Sequence, residues 1–254
     1  MKVVKLIESS SLSQELLGGK GYNLQRLINW GFVVPETYVI TAHDSRQLEI
    51  LLEKPVKITI PYKTNPGTNF AVRSSGVGED GNENSFAGIF DTVLEVKHEN
   101  LAQAVHKVYA SKSTAVTSMY SDVRGAIIKD MAIVIQEMID ADYAGVAFSV
   151  NPIERDKKIG LIEIVRGVGE SLVSGKVKPT SLRINKITGI SRVLQTGTDK
   201  IPHSKLESMI NLVSIELWKI ADLYGKPVDI EWAFKDGKLF LLQARPITTL
   251  GDMK

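Results

Sequence analysis

The tightest constraint on this chain lies close to its end. The segment reads Val228-Asp229-Ile230-Glu231-Trp232-Ala233-Phe234, then Lys235-Asp236-Gly237, then Lys238-Leu239-Phe240-Leu241-Leu242-Gln243-Ala244-Arg245. Two β-prone runs around an Asp-Gly pair predict a hairpin. Side chains alternate faces along a strand, so the turn decides which residues share a face. A two-residue Asp-Gly turn and a three-residue loop with left-handed Gly237 are both open to this sequence. The three-residue loop pairs Phe234 with Lys238. It puts Ile230, Trp232, Phe234, Phe240 and Leu242 on one face, and Asp229, Glu231, Gln243 and Arg245 on the other. The two-residue turn mixes the acids with Phe240 and Leu242. Segregation of polar from apolar side chains therefore predicts the longer loop.

The polar face has two readings. One is a solvated sheet face with an ordinary Asp–Arg pair, which contributes little. The other is a magnesium–phosphate site. Magnesium takes one or two carboxylates and fills its shell with phosphate oxygens and water. On that reading Glu231 and Gln243 supply oxygens from neighbouring strands, and Arg245 balances phosphate charge.

Composition narrows the class. The 254 residues include no cysteine, 31 Lys+Arg against 29 Asp+Glu, and 43% hydrophobics. These values exclude collagen-like, coiled-coil and disordered chains. The missing thiols exclude a disulfide scaffold, cysteine-ligated metals and thiol catalysis. A net charge of +2 gives no electrostatic reason for nucleic-acid binding. No run approaches the roughly 20 apolar residues of a membrane helix, and no leader is visible. No membrane partner and a cytoplasmic location are the expectations.

Helical spacing marks residues 22–30, 101–120 and 204–224, the last with Ser204 and Glu207 as a capping box. Extended runs are expected at 33–41, 70–73, 90–96, 132–138, 144–150, 161–165, 181–185, 191–194, 228–234 and 239–243. The softest linker is Glu53 to Asn69, with Pro55, Pro61, Pro66 and Gly67. Hairpins mixed with helices point to an α+β fold rather than a doubly wound parallel sheet. The approximate subdomains are 1–130 and 131–254.

Several motifs fail on inspection. Lys20 follows two glycines, but the spacing and the following residue do not make a phosphate loop of the Walker type. Gly76-x-Gly78-x-x-Gly81 lacks its helix and carries two acids. Asp80, Asn82 and Asn84 imitate a calcium loop without its glycine or terminal glutamate. His43, His98, His106 and His203 show no ligand spacing. Three cations fit phosphate chemistry better. Lys20 stands in a glycine run that opens a helix, where backbone N–H groups favour anions. Arg73 ends an apolar strand and precedes Ser74-Ser75, whose hydroxyls can donate. Arg245 lies beside the acids. Phosphoryl transfer needs cations, a metal and a glycine loop that excludes water. Ser85-Phe86-Ala87-Gly88 suits such a loop.

At these residues the sequence resembles the N-terminal nucleotide-binding domain of the phosphoenolpyruvate synthase and pyruvate phosphate dikinase family, to which that of rifampicin phosphotransferase is similar. The matching blocks are Gly18-Gly19-Lys20-Gly21-x-Asn23-Leu24, Ala71-Val72-Arg73-Ser74-Ser75, Glu79-Asp80 with Ser85-Phe86-Ala87-Gly88, and Val134-Ile135-Gln136-Glu137-Met138. Gly145-Val146-Ala147-Phe148-Ser149, Gly167-Val168-Gly169-Glu170 with Val173-Ser174-Gly175, Asp229-Ile230-Glu231-Trp232 and Gln243-Ala244-Arg245-Pro246-Ile247-Thr248 follow in family order.

The resemblance implies an ATP-grasp fold, two α+β subdomains with ATP between them. It implies that Lys20, Arg73 and Arg245 hold the phosphates, with Arg73 and Arg245 stabilising the transferring group. Glu231 and Gln243 would bind Mg2+, with Asp229 in support. Gln136, Glu137, Met138 and Ile139 would form the adenine hinge, and the loop Ser85 to Gly88 would close over the phosphates. The family's threonine-serine-histidine motif is absent, as is its phosphoenolpyruvate/pyruvate barrel, and Arg166 stands where an aromatic or aliphatic residue is common. The chain is therefore expected to bind Mg-ATP and donate the β-phosphoryl group to a histidine on a separate swivel domain or chain. The alternatives are an ATP-sensing or scaffold module without chemistry, or the ATP-binding part of an antibiotic phosphotransferase.

Overall fold

Each of the chain's two units, Met1–Met138 and Ile139–Lys254, is built on its own antiparallel sheet. This computed structural model describes residues 3–45, 58, 60, 67–77, 92–121, 130–151, 156, 158–169, 175 and 177–247, the side chains of 113–121 excepted. The expected α+β class is the one observed.

The first unit runs β1 (Val4–Lys5), α1 (Gln14–Asn29), β2 (Thr37–Ile40), α2 (Ala42–Ser45), β3 (Asn69–Gly76), β4 (Thr92–Lys97), a 3-10 turn, α3 (Leu101–Ser121) and β5 (Met131–Glu137). The sheet order is β1-β2-β5-β3-β4. β5 is apolar along nearly its whole length because both its faces are covered. Met131, Ile133 and Ile135 join the core that holds Leu101, Val105 and Val108 of α3. Ala132 and Val134 join Leu17 and Leu24 of α1 on the other side. β5 lies between β2 and β3, so the division of the chain falls after it, where the sequence reading had placed it before residue 131.

The second unit runs β6 (Tyr143–Phe148), β7 (Ile159–Arg166), β8 (Thr180–Asn185), β9 (Ser191–Gln195), α4 (His203–Tyr224), β10 (Val228–Lys235) and β11 (Lys238–Pro246). The sheet order is β11-β10-β6-β7-β8-β9. α4 packs against β10, β11 and β6 through Met209, Ile210, Val213, Leu217 and Ile220. Ile230 and Trp232 are fully buried. Gly145 is required opposite the tryptophan, since a Cβ there would lie 2.7 Å from the Trp232 ring and 1.9 Å from the Glu163 carbonyl oxygen. No helix among the described residues is long and apolar enough to cross a membrane.

Four local expectations are corrected. The glycine run does not precede α1 but lies inside it, with a kink at Gly18 (φ 66°, ψ 180°). β3 does not end at Arg73 but continues to Gly76. α4 begins at His203 after Pro202, with no side-chain cap, so Ser204 and Glu207 form no capping box. The closing hairpin takes the two-residue turn, pairing Lys235 with Lys238. Asp236 and Gly237 both have positive φ, 48° and 78°, the geometry that matches the twist of paired strands.

A bulge resolves the conflict that the sequence posed. A regular ladder from the Lys235–Lys238 pair would set Glu231 against Leu242. Instead the register shifts between Glu231 and Trp232, so Glu231 faces Gln243 while Trp232 faces Leu241. Leu242 is the extra residue. Phe240 and Leu242 consequently leave the Trp232 face and pack with Ala233 and Ala144 on the other. Buried Leu241 takes their place. The polar quartet keeps a common face, as expected, by a different route.

Candidate functional site

The second unit supplies the quartet. Asp229 pairs with Arg245 and Glu231 pairs with Gln243 across β10 and β11. Alternation places these four opposite the face of Ile230 and Trp232. Arg245 Nε donates to both Asp229 carboxylate oxygens at 2.9 Å. The Asp229 side chain is 16% exposed and that of Arg245 33%. The aspartate thus orients the guanidinium at a half-buried position, where a charge-assisted bond is stronger than at the surface. Gln243 is buried and Glu231 half-buried.

This donor set fits magnesium. Among the described residues no group of three or more His, Asp or Glu converges as a closed metal cage would require. Two carboxylates and an amide on neighbouring strands suit an ion that completes its shell with phosphate and water. Asp229 is engaged by Arg245.

The same face continues across the sheet. Glu231 stands against Val146, Val146 against Glu163, and Glu163 against Ser181. Ser181 Oγ lies 3.4 Å from Glu163 Oε1. Glu163 and Ser181 were not singled out in the sequence. Their signal is visible only once strand registers are known.

Lys20, Arg73 and the expected adenine hinge lie in the first unit. Arg73 lies on β3, paired with Val134 of β5. Its face is that of Ser75 and Ala71, and α1, which carries Lys20, packs on β3 and β5. The Ser75 hydroxyl does not point to a ligand. It accepts from Gly21 N at 3.0 Å and donates to Leu17 O at 2.7 Å, wholly buried. That corrects the expectation that Ser75 donates to phosphate.

The hinge segment leaves β5. Gln136 is buried and donates through Nε2 to Thr37 Oγ1 at 3.2 Å. Glu137 N donates to Glu36 O and Met138 N to Asn69 O, both at 2.8 Å. Met138 Sδ accepts from Glu95 N at 3.0 Å. Burial, and then the nearby charge of Glu36, push the Glu137 carboxyl above the usual carboxylate range. Beyond Ile139, the Asp142 carboxylate accepts from Lys235 Nζ and from Asp236 N, both at 3.2 Å, tying this connection to the hairpin turn. The expected phosphate loop, with Ser85 and Gly88, lies outside the described residues.

The model of the family described as pyruvate phosphate dikinase, AMP/ATP-binding domain, matches residues 52–254. The chain is 32% identical to the prodigiosin synthesizing transferase PigC of Serratia marcescens, over 97% of this chain and 33% of that protein. It is 30% identical to a probable phosphoenolpyruvate synthase of Methanocaldococcus jannaschii, over 96% of this chain and 26% of that protein. It is 28% identical to the rifampicin phosphotransferase of Bacillus cereus, over 92% of this chain and 34% of that protein. The chain therefore spans about a third or less of the length of these relatives.

Proposed function

Since the chain belongs to the pyruvate phosphate dikinase AMP/ATP-binding domain family and has an α+β fold, we propose that it binds Mg-ATP and donates the β-phosphoryl group to a histidine on a separate swivel domain or chain. The observation that carries the reading is the gathering of Asp229, Glu231, Gln243 and Arg245 on one sheet face by the bulged hairpin. Glu231 and Gln243 would hold the magnesium ion, which supplies charge neutralisation on the phosphates.

The remaining roles are those that the family resemblance implies. Lys20, Arg73 and Arg245 bind the phosphate oxygens, and Asp229 orients Arg245. Arg73 and Arg245 stabilise charge on the group in transfer, an electrostatic contribution in which no covalent bond to this chain forms. The amides of Glu137 and Met138 are engaged by protein carbonyls. Gln136, Glu137, Met138 and Ile139 form the adenine hinge. Ser85 and Gly88 belong to the covering loop. The bond between the α- and β-phosphoryl groups breaks, a histidine nitrogen takes the β-phosphorus and AMP leaves. The γ-phosphoryl group passes to water or to a second acceptor.

The three relatives are named for different reactions, yet each matches over 90% of this chain. ATP binding, which the family description names, suits the shared portion, and acceptor choice suits the rest. The test is transfer of label from β-32P-ATP to an added swivel domain. Label on its histidine with release of AMP is expected, and Arg73→Ala should abolish it. Transfer unchanged in Arg73→Ala would contradict the assignment. AMP never formed with any swivel domain, despite ATP binding, would favour a sensing module.

A further inference from the structure

α1 is kinked at Gly18, with φ 66° and ψ 180°. One hydroxyl bridges the kink: Ser75 Oγ donates to Leu17 O at 2.7 Å and accepts from Gly21 N at 3.0 Å. Ser75 is fully buried, and the two bonds use it as donor and as acceptor. Gly18 closes the joint. A Cβ on it would sit 2.0 Å from the Ser75 carbonyl oxygen, so helix and strand touch here backbone to backbone.

This joint lies between two residues of the phosphate set. Lys20 precedes the amide that Ser75 holds. Arg73 is two positions before Ser75 on β3, on the same face. Resting on the Mg-ATP reading above, we propose that Ser75 is a positioning residue that fixes the Lys20 helix turn against the Arg73 strand, so that both cations meet the same phosphate chain. A phosphate clamp made of one helical and one strand cation works only if the helix cannot slide along the sheet. The serine bridge and the glycine contact prevent that slide.

The experiment is a double-mutant cycle read by calorimetric Mg-ATP titration of the full chain, with Ser75→Ala, Lys20→Ala and the pair. Ser45→Ala is the control. That serine is also buried in the first unit and bonds the Ala42 and Met131 carbonyls, touching neither the Leu17 carbonyl nor the Gly21 amide. Ser75→Ala should weaken ATP binding about tenfold, and by less than twofold once Lys20 is already alanine, because coupled residues are not additive. Ser45→Ala should lower thermal stability and leave ATP affinity within twofold. Equal losses from Ser75→Ala in both backgrounds, or an equal loss from Ser45→Ala, would reduce Ser75 to a structural serine and overturn the inference. Failure of the unmodified chain to bind Mg-ATP at all would instead overturn the functional reading on which it rests.

Discussion

Gly18 shows how one residue serves both fold and site. Its φ of 66° is left-handed, and the space for a Cβ is filled by the Ser75 carbonyl. Gly18→Ala should cost roughly 3 kcal/mol, from backbone strain and overpacking together. Urea unfolding would measure it. Two glutamates nearby predict opposite pH behaviour. Lys5 Nζ at 2.6 Å and the Tyr38 hydroxyl at 2.7 Å hold the Glu36 carboxyl below the usual range. Its stabilisation is present above the unfolded-state pKa and is lost as pH falls through the folded value. Lys5→Ala should therefore destabilise at neutral pH, with the difference from the unmodified chain closing in acid. The Glu36 side chain is 46% exposed, so added salt should shrink the effect. Glu137 is raised, so its contribution is present below the unfolded pKa and lost as pH rises through the folded one. Glu137→Gln should gain stability at neutral pH and be neutral in acid. Denaturant midpoints across pH would show whether the two trends run in opposite directions. Neither trend was legible in the sequence, because Lys5, Glu36 and Glu137 come together only through the pairing of β2 with β1 and β5.

The closing hairpin is the element in which sequence reasoning went furthest and erred most usefully. Segregation of polar and apolar residues identified the quartet and its common face. It then assigned the wrong turn, since alternation alone assumes an unbroken ladder. The Asp-Gly pair prefers two residues with positive φ, and a bulge at Leu242 absorbs the resulting register change. A bulge adds one residue and leaves no compositional mark, so it could not be read. The α1 kink was hidden for a similar reason. Four residues of glycine and lysine read as a loop by helix propensity, but contact with β3 overrides propensity. In both places a tertiary contact decides the local conformation, and both lie beside candidate site residues. α4 is the contrasting case: of the helically spaced apolar residues Leu206, Met209, Ile210, Val213, Leu217 and Ile220, all but the half-buried Leu206 are buried. Leu217→Ala should cost about 2–5 kcal/mol, measurable by thermal or urea unfolding, because the side chain is fully buried against the sheet.

For the molecule as a whole, the α+β class was legible from the mix of hairpins and helices and the family from ordered sequence blocks, while the short β1 and α2 were not expected. Strand registers, which bring Glu163 and Ser181 onto the quartet's face, were not. The proposal that matters most at this scale is that Glu231 and Gln243 of the closing hairpin hold the magnesium of Mg-ATP. A few residues would then carry most of the phosphate affinity, and loss of a metal-bearing carboxylate should uncouple ATP binding from magnesium. The most direct test is calorimetric titration of the purified chain with ATP, with and without magnesium, alongside Glu231→Ala. The account predicts binding that requires magnesium and is lost in Glu231→Ala while the variant stays folded. Magnesium-dependent binding retained unchanged in Glu231→Ala would contradict it.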